Sequence, residues 1–187
     1  MSSASLSSEL ETTIRRLLDD ETVEDFAANA EFRQKVLNRP EAASVLVDLA
    51  VSDNGRLQRA ASMLCLFDRT AVKPLAASLS RPDPLWRSRV LNLIWTLAHA
   101  AEFWEGPAIL EDIRGFLVPL LSDQSVVSPD YPYPPEILRD YRVCDEAYVL
   151  WRNLSYRQYD DSLFIGMASD ERDVEISTLR TQVDGVA

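Results

Sequence analysis

The sequence has little of several residue types, and each shortage removes a class of chemistry. A single histidine, His99, excludes a zinc site built from several imidazoles. The two cysteines, Cys65 and Cys144, lack metal-ligand spacing. Five glycines leave no glycine-rich phosphate loop, no dinucleotide fingerprint and no nucleophile elbow. Scarce glycine and scarce β-branched alternation together point to an all-helical chain. No apolar run approaches the ~18 to 20 residues of a membrane span, and the opening MSSASLSSELE lacks a basic end followed by an apolar stretch. A soluble, unsecreted, cytoplasmic chain with no membrane association is the expectation. Both cysteines fall inside expected helices, Cys65 on an apolar stripe, and are read as buried, inert thiols suited to a reducing cytoplasm.

What is present is apolar mass and acid. At 187 residues, 47% of them hydrophobic, the chain can bury one sizeable core, and a single domain is the simplest count. The net charge of −11 belongs to the two ends. Residues 1–31 hold eight acids against Arg15 and Arg16, residues 160–187 seven acids against Arg172 and Arg180, and the region between has 15 of each sign. Nucleic-acid binding is not expected, because it draws on clustered Lys and Arg that release counterions. An acidic surface favours a basic partner, or simply keeps a stacked-helix protein soluble.

The stretch Ala71 to Ala98 organises the rest. Val72, Leu75, Ala76 and Leu79 recur at helical spacing, with Pro74 in the first turn, where its missing N–H costs little. Arg81-Pro82-Asp83-Pro84 stops that helix, and Asp83 can cap the next. Trp86, Val90, Leu93, Ile94 and Leu97 then share one stripe of a second helix. The same offsets from Val143 hold Ala147, Leu150, Trp151 and Leu154, and from Leu57 they hold Ala61, Leu64 and Cys65 before failing at Asp68.

These residues resemble the HEAT and armadillo family of α-helical repeats: Val72, Pro74 and Leu75 in a first helix, Asp83 in the turn, Trp86-Arg87, Val90 and Leu93-Ile94 in a second. Val143-Cys144-Asp145-Glu146-Ala147 resembles the start of another second helix. The likeness covers Pro40 to Leu154, although the copies start at 57, 86 and 143 and not at the family's ~40 to 47-residue period. It implies an all-α fold, a short right-handed α-solenoid of antiparallel helix pairs with helical caps at both ends.

In chain order, residues 1–7 are expected to be disordered, and 8–39 to form an N-terminal cap. Ser8 and Glu11 make a capping-box pair ahead of Leu10, Ile14, Leu17 and Leu18. Thr22 is expected to cap a short helix with Val23 and Phe26, and Asn29 one with Phe32, Val36 and Leu37. Repeats follow over 40–154, with Ala43, Leu46, Val47 and Ala50 in a first helix and Leu57 to Phe67 in its partner. Ile109, Ile113, Phe116, Leu117 and Leu120 make a further first helix, with Pro119 kinking or stopping it. The stretch 122–135, SDQSVVSPDYPYPP, is an insertion too long for a repeat turn, and it either displays Tyr131 and Tyr133 or packs them over an edge of the core. Residues 155–187 form a C-terminal cap, with Ser162, Leu163, Phe164 and Met167 in a short helix. Val174, Ile176, Leu179 and Val183 follow in a last helix whose outer face carries Arg172, Asp173 and Arg180.

The carboxylate runs Asp19-Asp20-Glu21, Glu24-Asp25 and Asp160-Asp161 adjoin expected helix ends, where capping or solvated acids are ordinary. No catalytic residue, metal or cofactor is expected, and an enzyme is the less favoured class. The resemblance instead implies a concave groove lined by second helices. Its residues would be Met63 and Phe67, then Arg89, Asn92, Thr96 and His99, then Glu146, Asn153 and Tyr156, a mixture suited to contacts. With Tyr131 and Tyr133 they make the candidate binding set for a protein or peptide partner of basic character. An immunity-like inhibitor of a basic toxin or enzyme is a sharper form of that reading. A chromophore lyase subunit is the enzymatic alternative that the resemblance implies, and self-association a structural one.

Overall fold

A computed structural model describes residues 3–99, 107–127, 140–155 and 161–185, with the backbone alone for 3–7, 54, 68, 99, 107, 108 and 184. The described residues are all-α, in ten α-helices with short 3-10 and π-helical continuations and no strands. The chain divides into two compact units, Met1–Ser78 with Leu93–Gly106 and Leu79–Asn92 with Pro107–Ala187. Among the described residues no helix is long and apolar enough to cross a membrane.

The first unit begins with α1, Ser3–Asp19, which starts earlier than the Ser8–Glu11 pair predicts. Glu11 is instead engaged inside the helix by Arg15 at 2.8 Å. The expected stripe holds, with Leu10, Ile14, Leu17 and Leu18 all buried. The Thr22-capped helix is absent and turns replace it. Asp20 Oδ1 accepts from the Thr22 N–H at 3.1 Å, and Asp25 Oδ1 from the Ala27 N–H at 2.8 Å. Those short acids compete for the backbone amides, which is why Asp favours turns over helix interiors. Asn29 caps α2, Ala30–Phe32, by accepting from the Phe32 N–H at 2.9 Å, and the coil widens into a π-helical turn over Arg33–Leu37.

Helices α3, Ala42–Ser52, and α4, Leu57–Leu64, pack along each other as the expected pair. A 3-10 stretch, Cys65–Ala71, continues α4 where the repeat pattern failed at Asp68. α5, Val72–Leu79, follows, with Leu75 and Leu79 buried. α6, Pro84–His99, runs through the boundary between the units, and the Leu85 N–H donates to Asp83 Oδ1 at 3.0 Å, the cap expected from sequence. Val90, Leu93, Ile94 and Leu97 are fully buried, whereas Trp86 is half-buried under the Arg81 guanidinium, 4.0 Å from its ring.

One side chain orders the non-helical joint after α1. Arg59 donates to the carbonyls of Leu17, Leu18, Asp20 and Val23 at 2.7 to 3.2 Å and lies 5.0 Å over the Phe26 ring. The last carbonyls of α1 have no intrahelical partner, and the part-buried guanidinium supplies the missing donors.

In the second unit α7, Pro107–Leu117, passes into a 3-10 stretch, Val118–Ser122, at Pro119, the predicted kink. Both pack against α8, Val143–Ser155. Two short elements complete the unit, α9, Asp161–Ile165, and α10, Ser169–Asp184, whose Glu171 reaches back to the Ala168 N–H at 3.1 Å. Ile176 and Leu179 are buried as expected, but Val174 is 66% exposed and Arg172 is buried, so the expected inner and outer faces exchange these two residues.

We expect Leu93→Ala to cost ~2 to 5 kcal/mol, from lost burial plus a cavity. Arg59→Ala should cost about 2 kcal/mol or more, because buried carbonyls lose charged donors. Urea denaturation checks both. For Arg59→Ala, hydrogen exchange should also quicken at residues 20–28 before the α3 and α4 amides are affected.

Candidate functional site

The candidate site lies in the second unit, at the head of α8. Residues 141–150 are buried without a break, so this part of α8 has no solvent face. A helix buried all round is ordinarily apolar, yet it carries Asp145 and Glu146 in its first turn, both buried. Each needs partners, because an isolated buried charge is costly.

Asp145 has them. Its Oδ2 accepts from the Arg142 N–H at 2.9 Å and from Arg142 Nε at 3.1 Å, while Oδ1 accepts from Nη2 at 2.9 Å. The backbone bond caps the helix, and the two side-chain bonds make a bidentate fork that raises the affinity of Arg142 for its proton. Arg142 Nη1 reaches out to Gln124 Oε1 and to Asp173 Oδ1, the latter at 2.8 Å. From α10, Arg172 Nε lies 3.7 Å from Asp145 Oδ1, Nη2 donates to the Asp140 carbonyl at 3.1 Å, and the guanidinium sits 5.7 Å from the Tyr141 ring centroid. A second arm leads back to α6, where Arg87 Nη2 meets Asp123 Oδ2 at 2.8 Å and Nη1 donates to the Arg81 carbonyl at 2.7 Å. Beyond the first turn, Tyr148 stacks on Phe164 at 4.3 Å, and its hydroxyl donates to Glu175 at 3.1 Å.

These contacts close the base of the proline-rich insertion. The Val127 N–H donates to the Tyr141 carbonyl at 2.9 Å, Val143 to Ser125 at 3.1 Å, and Cys144 to Asp123 at 2.9 Å, with Val126 and Arg142 facing each other as an antiparallel bridge. Residues 123–127 are thus held beside 141–144.

Arg142, Arg172, Asp145 and Glu146 are buried, and the charges on the outward side of the cluster are the exposed carboxylates of Asp140, Asp170, Glu171 and Asp173. Val126, at 64% exposed, and Val174, on either side of the Arg142–Asp173 pair in sequence, are exposed apolar residues. Burial pushes the Cys144 thiol up to about 12, with the Asp145 charge adding to it, so Cys144 is not a nucleophile at neutral pH. Among the described residues no group of three or more metal-ligating side chains converges. The open hollows of the first unit, along the π-helical turn, are lined by solvated residues such as Gln34, Lys35 and Arg39.

The residues expected to line a groove have different fates. Met63 and Phe67 are buried in the first unit, Phe67 edge-on to Phe32 at 6.1 Å. Glu146 is buried in the second. These three corrections share one cause: α4 with its 3-10 continuation, and α8, are enclosed on more than the one stripe that periodicity reports. Arg89, Asn92, Thr96 and Asn153 are half-buried, and the Asn153 amide donates to the Val149 carbonyl at 3.0 Å. The side chain of His99 and all of Tyr131, Tyr133 and Tyr156 lie outside the described residues. Cys65 is half-exposed and not buried. Sequence reasoning missed Arg142, Asp145 and Arg172; an arginine three residues before an acid at a helix start was a readable signal for the first two, and nothing local announces the third.

Comparisons with models of known protein families, with curated proteins and with solved structures found no match.

Asp145→Asn should cost ~3 to 5 kcal/mol, since it removes the buried countercharge that two buried arginines share and leaves Arg142 only the exposed Asp173. Arg15→Ala, which breaks an exposed pair on α1, should stay within about half a kcal/mol. Urea titrations of the two variants test the contrast. A thiol reagent should modify Cys65 alone in the folded chain and both cysteines in denaturant.

Proposed function

We propose that this chain is a non-catalytic protein–protein interaction module, built as a short right-handed α-solenoid of HEAT-like or armadillo-like helix pairs. It binds a basic protein or peptide through its exposed helix faces and the Tyr/Pro-rich stretch 122–135. The observation that carries this reading is the pinned base: three backbone hydrogen bonds and a buried arginine hold residues 123–127 against 141–144, on either side of the tyrosines in sequence. Holding the ends reduces the ordering entropy that a long segment loses when it grips a partner.

The paired helices α3 with α4 and α7 with α8 support the repeat architecture. The charge division supports the choice of partner. The arginines of the cluster are spent inside, so its outward side carries the carboxylates of Asp140, Asp170, Glu171 and Asp173 beside the apolar Val126 and Val174. A basic segment with aliphatic side chains complements that mixture and is steered toward it. Burial removes Met63, Phe67 and Glu146 from the contact set, while Arg89, Asn92 and Asn153 remain accessible in the second unit. An immunity-like inhibitor of a basic toxin or enzyme is a special case of the same reading.

Binding is tested with immobilised full-length chain and labelled 20-residue peptides that are lysine- and leucine-rich, beside charge-reversed controls. The basic peptides should bind and weaken with salt, and Tyr131→Ala with Tyr133→Ala should weaken them about tenfold, or roughly 1.4 kcal/mol. Asp170→Lys, at an exposed position, should weaken them about threefold or more. Equal retention of acidic and basic peptides would overturn the charge argument, and unchanged binding by the double tyrosine variant would remove the insertion.

A further inference from the structure

Glu146 differs from the other carboxylates at the head of α8. It is buried, yet no arginine pairs with it. Oε1 accepts from the Ser88 hydroxyl of α6 at 2.9 Å, and Oε2 is buried with no hydrogen-bond partner. Of the cations nearby in sequence, Arg87 is engaged with Asp123, Arg142 with Asp145, and Arg172 with Asp145 and the Asp140 carbonyl, while Arg89, next to Ser88 on α6 and with a buried Nε, makes no bond to Glu146. Of the other elements packed on α8, the 3-10 stretch Val118–Ser122 has no charged residue. α7 contributes Glu111, Asp112 and Arg114, the last directed over Trp151 at 6.0 Å. α9 contributes Asp161, and α10 Glu175, which accepts from Tyr148. The charge that bears on Glu146 is that of Asp145, and it opposes ionisation.

We propose that the buried Glu146 carboxyl, set against Ser88 of α6, is a proton-held latch within the second unit: the neutral acid stays buried there, and loss of its proton drives it outward and loosens the head of α8. A neutral carboxyl tolerates an oxygen without a donor in an apolar seam, whereas a carboxylate there is an unpaired buried charge. Desolvation is the main cause that lifts Glu146 from its ordinary 4.5 to about 8, with Asp145 adding to it and the Ser88 hydroxyl opposing it. The folded chain therefore binds this proton more tightly than the unfolded chain. Its stabilising contribution is fully present below about pH 4.5 and is lost as pH rises through about 8. The latch sits one turn from the pinned base, because Glu146 follows Val143 and Cys144, whose amides close that base. An open latch would loosen the flanks of the insertion first; any consequence for partner binding rests on the function proposed above, but the latch itself does not.

The test uses the full chain and needs no partner. Infrared difference spectra between about pH 6 and 9 should show a protonated-carboxyl band that the wild type loses and Glu146→Gln lacks throughout. Over the same range the wild-type urea midpoint should fall, and that of Glu146→Gln should stay level. Ser88→Ala removes the bond that favours the charged form, so the fall should move to higher pH. Hydrogen exchange, corrected for its intrinsic pH dependence, should quicken at residues 123–127 and 141–147 in the wild type and not in Glu146→Gln. Absence of the band at pH 6 overturns the proposal, as does a shared pH slope in wild type and Glu146→Gln. Should Glu146→Gln fail to fold, the wild-type band and the Ser88→Ala shift decide the matter, and no shift or a downward one overturns it.

Discussion

The bidentate pairing of Arg142 with Asp145 is the interaction on which the second unit depends. It caps α8 at the point where the helix is enclosed on every side. It also ties two other segments to that cap, residues 123–127 through Gln124 and the bridge to Val126, and α10 through Asp173. Burying the pair costs solvation, and the fork geometry with its extra hydrogen bonds offsets much of that cost. What it supplies is register: the extended residues before α8 can pair with 123–127 in one alignment only while the guanidinium spans both.

The first unit meets a related difficulty in the same way. Joints between short helices leave carbonyl oxygens without intrahelical partners, and arginine reaches them: in the first unit Arg59 at the end of α1, as in the second Arg87 at the Arg81 carbonyl and Arg172 at the Asp140 carbonyl. Seventeen of the 19 basic residues are arginine, and this usage accounts for part of that bias, because a lysine ammonium cannot fork across several acceptors.

Glu146 stands outside this arrangement, and its isolation gives it a different role. Where Asp145 is charged and clamped, Glu146 meets only a hydroxyl, one residue away on the same helix. Adjacent acids in one turn are separated by their partners into an ion pair and a group whose protonated form burial favours. The first sets the geometry of the insertion's base; the second makes that geometry depend on pH.

The chain's helical pattern was legible from residue type alone. The stripes of α1, α3 and α6, the Asp83 and Asn29 caps and the break at Pro119 follow from local rules, since periodicity and capping act within one or two turns. The enclosure of Met63, Phe67, Glu146 and Arg172 was not legible, because a second buried face is created by whichever elements arrive from elsewhere in the chain. Nor was the turn at 20–28, where Asp20 and Asp25 outcompete the helix and Arg59, some 40 residues away, finishes the joint. Sequence by itself determined an acidic all-α protein with one proline-rich insertion; tertiary structure alone decided which charges are spent inside and which carboxyl is left without a countercharge. The physical reason is that desolvation and ion pairing depend on neighbours in space, and those become neighbours only when the chain has folded.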